Sequence, residues 1–298
     1  MGGGVTEHRT IVDAHHHLWR PERGYTWLDA PGLTAIRRPF TPEDLTAELA
    51  AAGVEATVLV EGGRCHPDEA AEFLGHAADT PAIAGVVAWA ELTDADLAAT
   101  LARYRRHRGG ELLVGVRSQV QGEEDPDYLD RPEVRRGLAE VAAAGLVFDL
   151  VIRADQLPSA ARAARAVPEL RLVLDHLGKP RIDEGAAGLR RWRGPFAALA
   201  AAGNVTCKLS GLVTEAGPDW TPDDLRPFVA VAVAEFGAAR LMFGSDWPVC
   251  LLAADYGGVL RALGAALPPL GEPDLREIFA GTATRVYGLG GRLRRDAP

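Results

Sequence analysis

Three consecutive histidines follow an apolar segment near the start of the chain, in TIVDAHHHLWR at residues 10–20. In an extended strand alternate side chains share a face, so Asp13, His15 and His17 would point one way and His16 the other. Two imidazoles one residue apart on one face can converge on a single ion or substrate oxygen, and neutral imidazole suits zinc or manganese. The spacing therefore indicates a functional pair, with His16 packed against a helix or loop.

A single carboxylate ends another apolar segment, FGSDWPV at residues 243–249. If this segment is a strand, Met242, Gly244 and Asp246 share its inner face. A carboxylate at the end of a strand can act as a general base or as a metal ligand, although it can also simply cap the following turn. We predict that Asp246 is catalytic and that the neighbouring Trp247 contributes to a substrate pocket.

The segment LVLDHLGKP, residues 172–180, offers a third candidate. Asp175 and His176 are neighbours, and neighbours in a strand point to opposite faces, so we expect only one of them to face the site. The residues before them are apolar on both faces of the predicted strand, so they do not show whether Asp175 or His176 faces the site. His176 would complete a three-histidine site, with Asp175 orienting it or capping the loop.

Three further charged residues are weaker candidates. Arg117 alternates with valines, which predicts that it faces the interior, where its guanidinium could hold a carboxylate or a carbonyl. Lys208 alternates with apolar residues in the same way, and a buried lysine needs a partner. It is therefore either a cation that binds substrate or half of a structural ion pair. Glu61 follows another apolar segment and is either an additional ligand or acid, or a surface carboxylate.

These candidates lie on or next to short apolar segments that alternate with alanine-rich helical patterns along the chain. Helix boundaries are marked by Thr41 and Pro42 at one start and by Gly53 at its stop. Eight alternations favour an α/β fold closed into a single (β/α)8 TIM barrel, with the active site at the strand C-termini. The alternative is a doubly wound open sheet, which usually carries a glycine-rich phosphate loop where this chain has histidines. The predicted strands are 10–17, 56–61, 83–91, 113–120, 147–153, 171–176, 205–210 and 241–246.

We expect one barrel domain over residues 10–290, a disordered lead at 1–9 and a tail at 291–298. The net charge of -9 disfavours nucleic acid and anionic membranes as partners, since both are negatively charged. No apolar segment approaches the roughly 20 residues that span a bilayer, and the N-terminus lacks the apolar core of a signal peptide. The few scattered cysteines form no CxxC pair, which argues against a disulfide framework. We predict a cytoplasmic protein whose alanine-rich helices are compatible with a homo-oligomer.

The chain resembles the amidohydrolase superfamily, and within it the amidohydrolase-2 group that contains sugar-lactone and pyrone-dicarboxylate lactonases. The resemblance covers residues 11–288. It implies a (β/α)8 barrel in which His15, His17 and His176 bind one divalent metal or polarise the scissile carbonyl directly, while Asp246 takes a proton from the attacking water. The matching segments are DAHHHLW, VLVEGG, GVRSQVQGEEDPDYL, VFDLVI, LPSA, LVLDHLGKP, VTCKLSGLVTEA and RLMFGSDWPVC.

Two departures from the family pattern bear on the metal. Members with two metals place a carbamylated lysine or a glutamate on the fourth strand and a histidine on the fifth, where this chain has Arg117 and Arg153. A two-metal site is therefore not expected. The resemblance implies a single zinc or manganese ion, with Asp246 or Glu61 as an additional ligand, but some relatives work without metal.

The leading hypothesis is hydrolysis of a small lactone, and more narrowly of a sugar-acid lactone, with Arg117, Lys208, Trp19 and Trp247 shaping the pocket. One alternative is a metal-dependent decarboxylase of an aromatic or unsaturated acid, a chemistry also found in the broad group. The other is a non-catalytic ligand-binding barrel. The combination of histidines with an aspartate disfavours this last alternative, because a sensor needs no base.

Overall fold

Eight parallel strands lie side by side in chain order, and each is joined to the next by a segment that contains an α-helix. The computed structural model describes residues 10–293. The predicted (β/α)8 barrel is confirmed, and every predicted strand forms. The strands are β1 (Val12–His16), β2 (Ala56–Val60), β3 (Ile83–Trp89), β4 (Leu113–Ser118), β5 (Val147–Leu150), β6 (Arg171–Leu174), β7 (Val205–Leu209) and β8 (Leu241–Phe243).

Backbone hydrogen bonds join the C-terminal ends of β1 and β8 and so bring the barrel close to closure. The N–H of His17 donates to the Trp247 carbonyl at 2.7 Å, and the N–H of Asp246 donates to the His15 carbonyl at 2.8 Å. The two segments with the strongest chemical signals are therefore bonded directly to each other.

Helices surround the strands, and the first of them begins and ends where Thr41, Pro42 and Gly53 predict. They are α1 (Pro42–Ala52), α2 (Pro67–Asp79), α3 (Leu97–Arg106), α4 (Pro132–Ala143), α5 (Leu157–Ala166), α6 (Gly185–Ala200), α7 (Pro222–Phe236), α8 (Tyr256–Ala266), α9 (Glu272–Arg276) and α10 (Thr282–Tyr287). Thr41 caps α1 in a reciprocal pair of hydrogen bonds with Asp44, and Gly53 ends it in the left-handed conformation.

Apolar side chains fill the barrel below its C-terminal rim. The interior cluster consists mainly of valines and alanines, together with Met242 of β8 and Tyr287 and Leu289 near the C-terminus. A larger cluster of leucines and aromatic residues lies between the strands and the helices. Because the lower interior is packed with apolar groups, the polar side chains of the strands are concentrated at the upper rim.

The alternation of β1 is interrupted, which changes the predicted position of Asp13. The register with β2 shifts after Asp13, and Ala14 joins the interior cluster. The Asp13 carboxylate instead accepts hydrogen bonds from the hydroxyls of Ser245 at 2.6 Å and of Tyr256, on α8, at 2.8 Å. The prediction that Asp13 shares a face with the inward histidines is wrong, because this irregularity exchanges the two faces of the strand.

The predicted disordered lead, residues 1–9, lies outside the described part of the chain, and so do residues 294–298 of the predicted tail. Between these two segments, no helix combines the length and apolar character that a membrane crossing requires.

Candidate active site

Three histidines and one aspartate converge at the C-terminal rim of the barrel. The Nε2 atoms of His15 and His17 are 3.1 Å apart. Oδ1 of Asp246 lies 3.6 Å from His15 Nε2, 3.5 Å from His17 Nε2 and 3.9 Å from His176 Nε2. All four side chains are buried. The structure thus brings together the four residues that the sequence singled out most strongly.

Asp246 is held in an unusual backbone conformation just beyond β8. Its φ of +57° is left-handed, which is uncommon for residues other than glycine and concentrates at functional sites. The preceding residue, Ser245, donates hydrogen bonds to Asp13 from its backbone N–H at 2.8 Å and from its hydroxyl at 2.6 Å. Asp13 therefore anchors the segment that aims Asp246 at the histidines.

The middle histidine of the triplet points away from this cluster, as the strand period predicts. Nδ1 of His16 lies 2.5 Å from the Thr57 hydroxyl on β2. His16 therefore contacts a neighbouring strand, and the expected contact with a helix or loop is wrong in this detail. Burial lowers the pKa of His16 to about 3, so the side chain is neutral at physiological pH.

Asp175 and His176 both reach the site, although the sequence suggested that only one would. The strand β6 ends immediately before Asp175, and His176, Leu177 and Lys179 have left-handed φ values of +53°, +53° and +52°. Strand alternation therefore no longer applies to this pair. The turn needs a glycine opposite it, because a Cβ at Gly211 would lie 2.6 Å from His176 Nδ1.

Asp175 is the centre of a buried ion-pair network beneath the histidines. Lys208 Nζ lies 3.0 Å from Asp175 Oδ1 and 2.6 Å from Asp149 Oδ2, and Arg117 Nη1 donates to Asp175 Oδ2 at 2.9 Å. Burial by itself would raise the pKa of Asp175, but the Lys208 ammonium, with His15 and Arg117, lowers it well below its usual range. Sequence reasoning missed Asp149, whose only signal was a lone carboxylate inside the apolar segment VFDLVI.

A cavity of about 390 Å³, lined by both polar and apolar groups, opens above the histidines. A second cavity, also of about 390 Å³, adjoins it and shares Gln121 and Lys179 with it. We call them the inner and the outer cavity. The inner cavity is large enough for a small polar molecule in contact with the histidine–aspartate cluster. Its lining consists of His17, Trp27, Gly62, Gly63, Arg117, Gln119, Gln121, Val151, His176, Lys179, Asp246 and Val249.

The predicted charged pocket residues differ in their access to this cavity. Lys208 has no exposed surface and is absent from the lining, so the geometry favours its alternative role in a structural ion pair. Arg117 lines the cavity, but its Nε donates to Glu61 Oε1 at 2.6 Å and its Nη2 to the Glu61 carbonyl at 2.7 Å. Among the described residues, the atoms grouped closely enough to hold a metal do not include Glu61, whose second oxygen accepts from the Gly63 N–H.

The two predicted tryptophans lie behind the cavity wall, and a third one forms that wall. Trp19 is buried and donates from Nε1 to the Ile36 carbonyl at 3.1 Å, and Trp247 is buried against Phe40. Trp27 lines the inner cavity and is fixed by a 2.9 Å hydrogen bond to the Gly62 carbonyl. The only sequence signal for Trp27 was its position in the long loop after the first strand.

The protonation of the cluster follows from its hydrogen bonds and its burial. Nδ1 of His17 lies 2.9 Å from the Val60 carbonyl, which can only accept, so Nδ1 carries a proton. Burial lowers the pKa of His176 to about 4 and that of His15 well below its usual value. Burial opposes the charge of Asp246, but His176 and His17 nevertheless lower its pKa. The cluster therefore combines the neutral imidazoles of His15 and His176 with a carboxylate.

The donor set fits one divalent ion. Among the described residues, His15, His17 and Asp246 form one group of possible ligands, and His15, Asp175 and His176 form another. The predicted set of His15, His17 and His176 is therefore divided between two groups. Ligands about 2.1 Å from a tetrahedral zinc are about 3.4 Å apart, close to the separations of 3.1, 3.5 and 3.6 Å in the first group. Nδ1 of His15 lies 3.4 Å from Asp175 Oδ1 and 3.0 Å from Lys208 Nζ, and only the tautomer whose Nδ1 donates to Asp175 leaves the Nε2 lone pair free for an ion.

Comparison with known proteins agrees with this combination of barrel and site. The family model of the amidohydrolases matches residues 12–289. The chain belongs to the amidohydrolase family.

Individual members of the family are similar to this chain over nearly its whole length. The chain is 37% identical over 284 residues to the L-fucono-1,5-lactonase of Burkholderia ambifaria, covering 93% of this chain and 95% of that protein. It is 38% identical over 291 residues to the L-fucono-1,5-lactonase of Burkholderia multivorans, covering 93% and 96%. A crystal structure of a Burkholderia multivorans amidohydrolase with bound zinc superposes with a TM-score of 0.87 at 36% identity, covering 94% of this chain and 99% of that one.

Proposed function

We propose that this protein hydrolyses a sugar-acid lactone, with L-fucono-1,5-lactone as the first candidate substrate. The observation that carries the proposal is the convergence of Asp246 and three histidines at the base of a cavity of about 390 Å³. The relatives named as L-fucono-1,5-lactonases support the choice of substrate, since the match covers nearly the whole of each chain. The glutamines and the tryptophan of the cavity wall offer the hydrogen bonds and the flat apolar surface that a sugar ring needs.

Asp246 is the proposed general base. Its lowered pKa keeps it ionised at neutral pH, so it can take a proton from a water molecule that attacks the lactone carbonyl. His176, whose Nδ1 lies 2.8 Å from the Ser210 hydroxyl, presents Nε2 to the cavity and can donate a hydrogen bond to the developing oxyanion when Ser210 donates to Nδ1. When the ring C–O bond breaks, the proton held by Asp246 passes to the ring oxygen.

His15, His17 and Asp246 are the residues that would hold a zinc or manganese ion. A bound ion would supply Lewis-acid polarisation of the carbonyl or of the attacking water. The zinc in the Burkholderia multivorans structure supports this assignment. In the absence of an ion, the same imidazoles can hydrogen-bond the substrate oxygen directly.

The test compares the wild type with Asp246→Asn on a panel of aldonolactones, followed by release of acid in a pH-indicator assay. We expect L-fucono-1,5-lactone to be among the best substrates, and we expect the variant to lose at least about a hundredfold in kcat, because loss of a general base has this effect. Asp219→Asn, at an exposed position, is the matched control. Equal rates for the wild type and Asp246→Asn would remove Asp246 from the mechanism.

The decarboxylase alternative has no specific observation in its favour. The chain superposes on 2,6-dihydroxybenzoate decarboxylase with a TM-score of 0.69, but at 19% identity this likeness concerns the fold alone. Binding of lactones without turnover in the same assay would instead favour the non-catalytic barrel.

A further inference from the structure

Lys179 lies at the rim of the barrel, between the inner and the outer cavity. It is one of two residues that line both the inner and the outer cavity, and it is partly exposed. Its backbone is left-handed, with a φ of +52°, and its N–H donates to the His176 carbonyl at 2.8 Å. The turn that places His176 in the site therefore also places Lys179 where the linings of the two cavities meet.

The ammonium of Lys179 forms no close ion pair, although its charge acts on the carboxyls of Asp246 and Glu215, whereas the arginines nearby are paired directly with carboxylates. Within residues 10–293, its side chain makes no hydrogen bond or ion pair. Arg117, the other cation of the inner lining, is bonded to Glu61 and Asp175. The two arginines that line the outer cavity are paired in the same way, Arg153 with Asp155 and Arg181 with Asp183, and the lining also includes the carboxyl of Glu215.

Lactone hydrolysis creates a charge that the substrate does not have. Water adds to the carbonyl carbon, the ring C–O bond breaks, one proton goes to the ring oxygen as a hydroxyl, and the new carboxylic acid loses its proton to solvent at neutral pH. This carboxylate forms beside the negatively charged Asp246. It is therefore repelled by the base and attracted to an unpaired cation nearby.

We propose that Lys179 binds the carboxylate of the ring-opened hydroxy acid where the inner and the outer cavity meet. This inference rests on the proposed lactonase function and extends it to the product side of the reaction. Lys179 distinguishes product from substrate, because the neutral lactone offers its ammonium only hydroxyl and carbonyl oxygens. The outer cavity, beyond Lys179, is the route by which the acid leaves.

The test measures equilibrium binding by calorimetry, with the protein as purified and without turnover. The probes are the sodium salt of L-fuconic acid and L-fucitol, in which a hydroxymethyl group replaces the carboxylate. We expect the wild type to bind the acid about tenfold or more tightly than the alditol, since a charge-assisted hydrogen bond contributes about this factor. Lys179→Met should abolish the preference, and Lys179→Arg should retain most of it.

Arg181→Gln is the matched control, because it removes a positive charge from the same rim where Asp183 already neutralises it. It should leave the preference unchanged. In turnover assays, inhibition by the acid should weaken about tenfold in Lys179→Met, while KM for the lactone changes by less than about threefold. Equal binding of the acid by the wild type and Lys179→Met, or no preference in the wild type, would overturn the inference. A failure of the proposed function would appear separately, as a wild type that hydrolyses no lactone.

Discussion

Nζ of Lys208 lies 3.0 Å from Oδ1 of Asp175, and neither side chain has any exposed surface. The ion pair stands directly beneath His15, whose Nδ1 lies 3.0 Å from the same ammonium. The histidine cluster is thus supported from below by charges that water does not reach. Such a pair stabilises the fold only while both members are present, because a single buried charge is strongly unfavourable.

Replacement of Lys208 by methionine should therefore lower the free energy of unfolding by about 3–5 kcal/mol, since it leaves Asp149 and Asp175 without their shared cation. Urea denaturation followed by circular dichroism measures this loss. The control is Arg108→Gln, which removes an ion pair with Asp79 on the surface and should leave the transition almost unchanged. A small and equal effect of both substitutions would show that the buried pair contributes little.

Gly211→Ala should damage the site as well as the fold. The new Cβ would lie 2.6 Å from His176 Nδ1, and the backbone φ of +62° is left-handed. Gly217→Ala is a close control, because its φ is +84° but its Cβ would meet only Asp183, at 3.7 Å. Both variants should lose about 1–2 kcal/mol of stability through backbone strain. Only Gly211→Ala should also lower kcat, by about a hundredfold, because a displaced histidine no longer meets the substrate. Equal kcat values in the two variants would refute the role given to this contact.

Much of this site could be predicted from the sequence, because it depends on strand periodicity. The pairing of His15 with His17 and the inward direction of Lys208 require only that successive side chains of a strand alternate. The position of Asp246 at a strand C-terminus follows from the order of apolar segments. These features are local, and local patterns are what a single sequence records.

The features that were missed depend on backbone irregularity or on packing between distant segments. Periodicity could not place Asp175 and His176 together, because β6 stops before them and left-handed residues follow. It could not choose Trp27 over Trp19 for the cavity wall, because both lie in one long loop whose path is set by tertiary contacts. Periodicity also placed Asp13 on the wrong face of β1, because nothing in the sequence marks the irregularity in that strand.

Glu69 should make stability depend on pH. Burial, with the nearby Glu61 charge, raises the pKa of Glu69 to about 8. The folded state then holds a proton that the unfolded state releases above about pH 4.5. Stability should therefore fall as pH rises from about 4.5 to about 8. In this range the unfolded chain loses the proton freely, whereas the folded chain must keep it or hold a buried negative charge.

In Glu69→Gln this dependence should be lost. The amide is neutral at every pH and can keep the hydrogen bond that Glu69 Oε1 accepts from the Gly62 N–H at 3.0 Å. Urea denaturation at about pH 5 and about pH 8 should show the variant gaining stability relative to the wild type at the higher pH. Glu55→Gln, at an exposed position, should leave the difference between the two pH values unchanged. If the wild type and Glu69→Gln lose the same stability between these pH values, Glu69 does not carry the effect.

The histidine triplet itself provides a matched test of the metal site. His17→Gln removes an Nε2 atom that lies near Asp246 and could bind the ion. His16→Gln changes an adjacent buried histidine that faces Thr57 instead. After incubation with zinc and exhaustive dialysis, elemental analysis should find about one zinc per chain in the wild type and in His16→Gln, and markedly less in His17→Gln, because each lost ligand weakens a tetrahedral site. Equal zinc in both variants would place the ion elsewhere. If neither the wild type nor the variants bind zinc, the imidazoles would bind the lactone oxygen directly. Activity that survives dialysis against a chelator would then identify a metal-free mechanism.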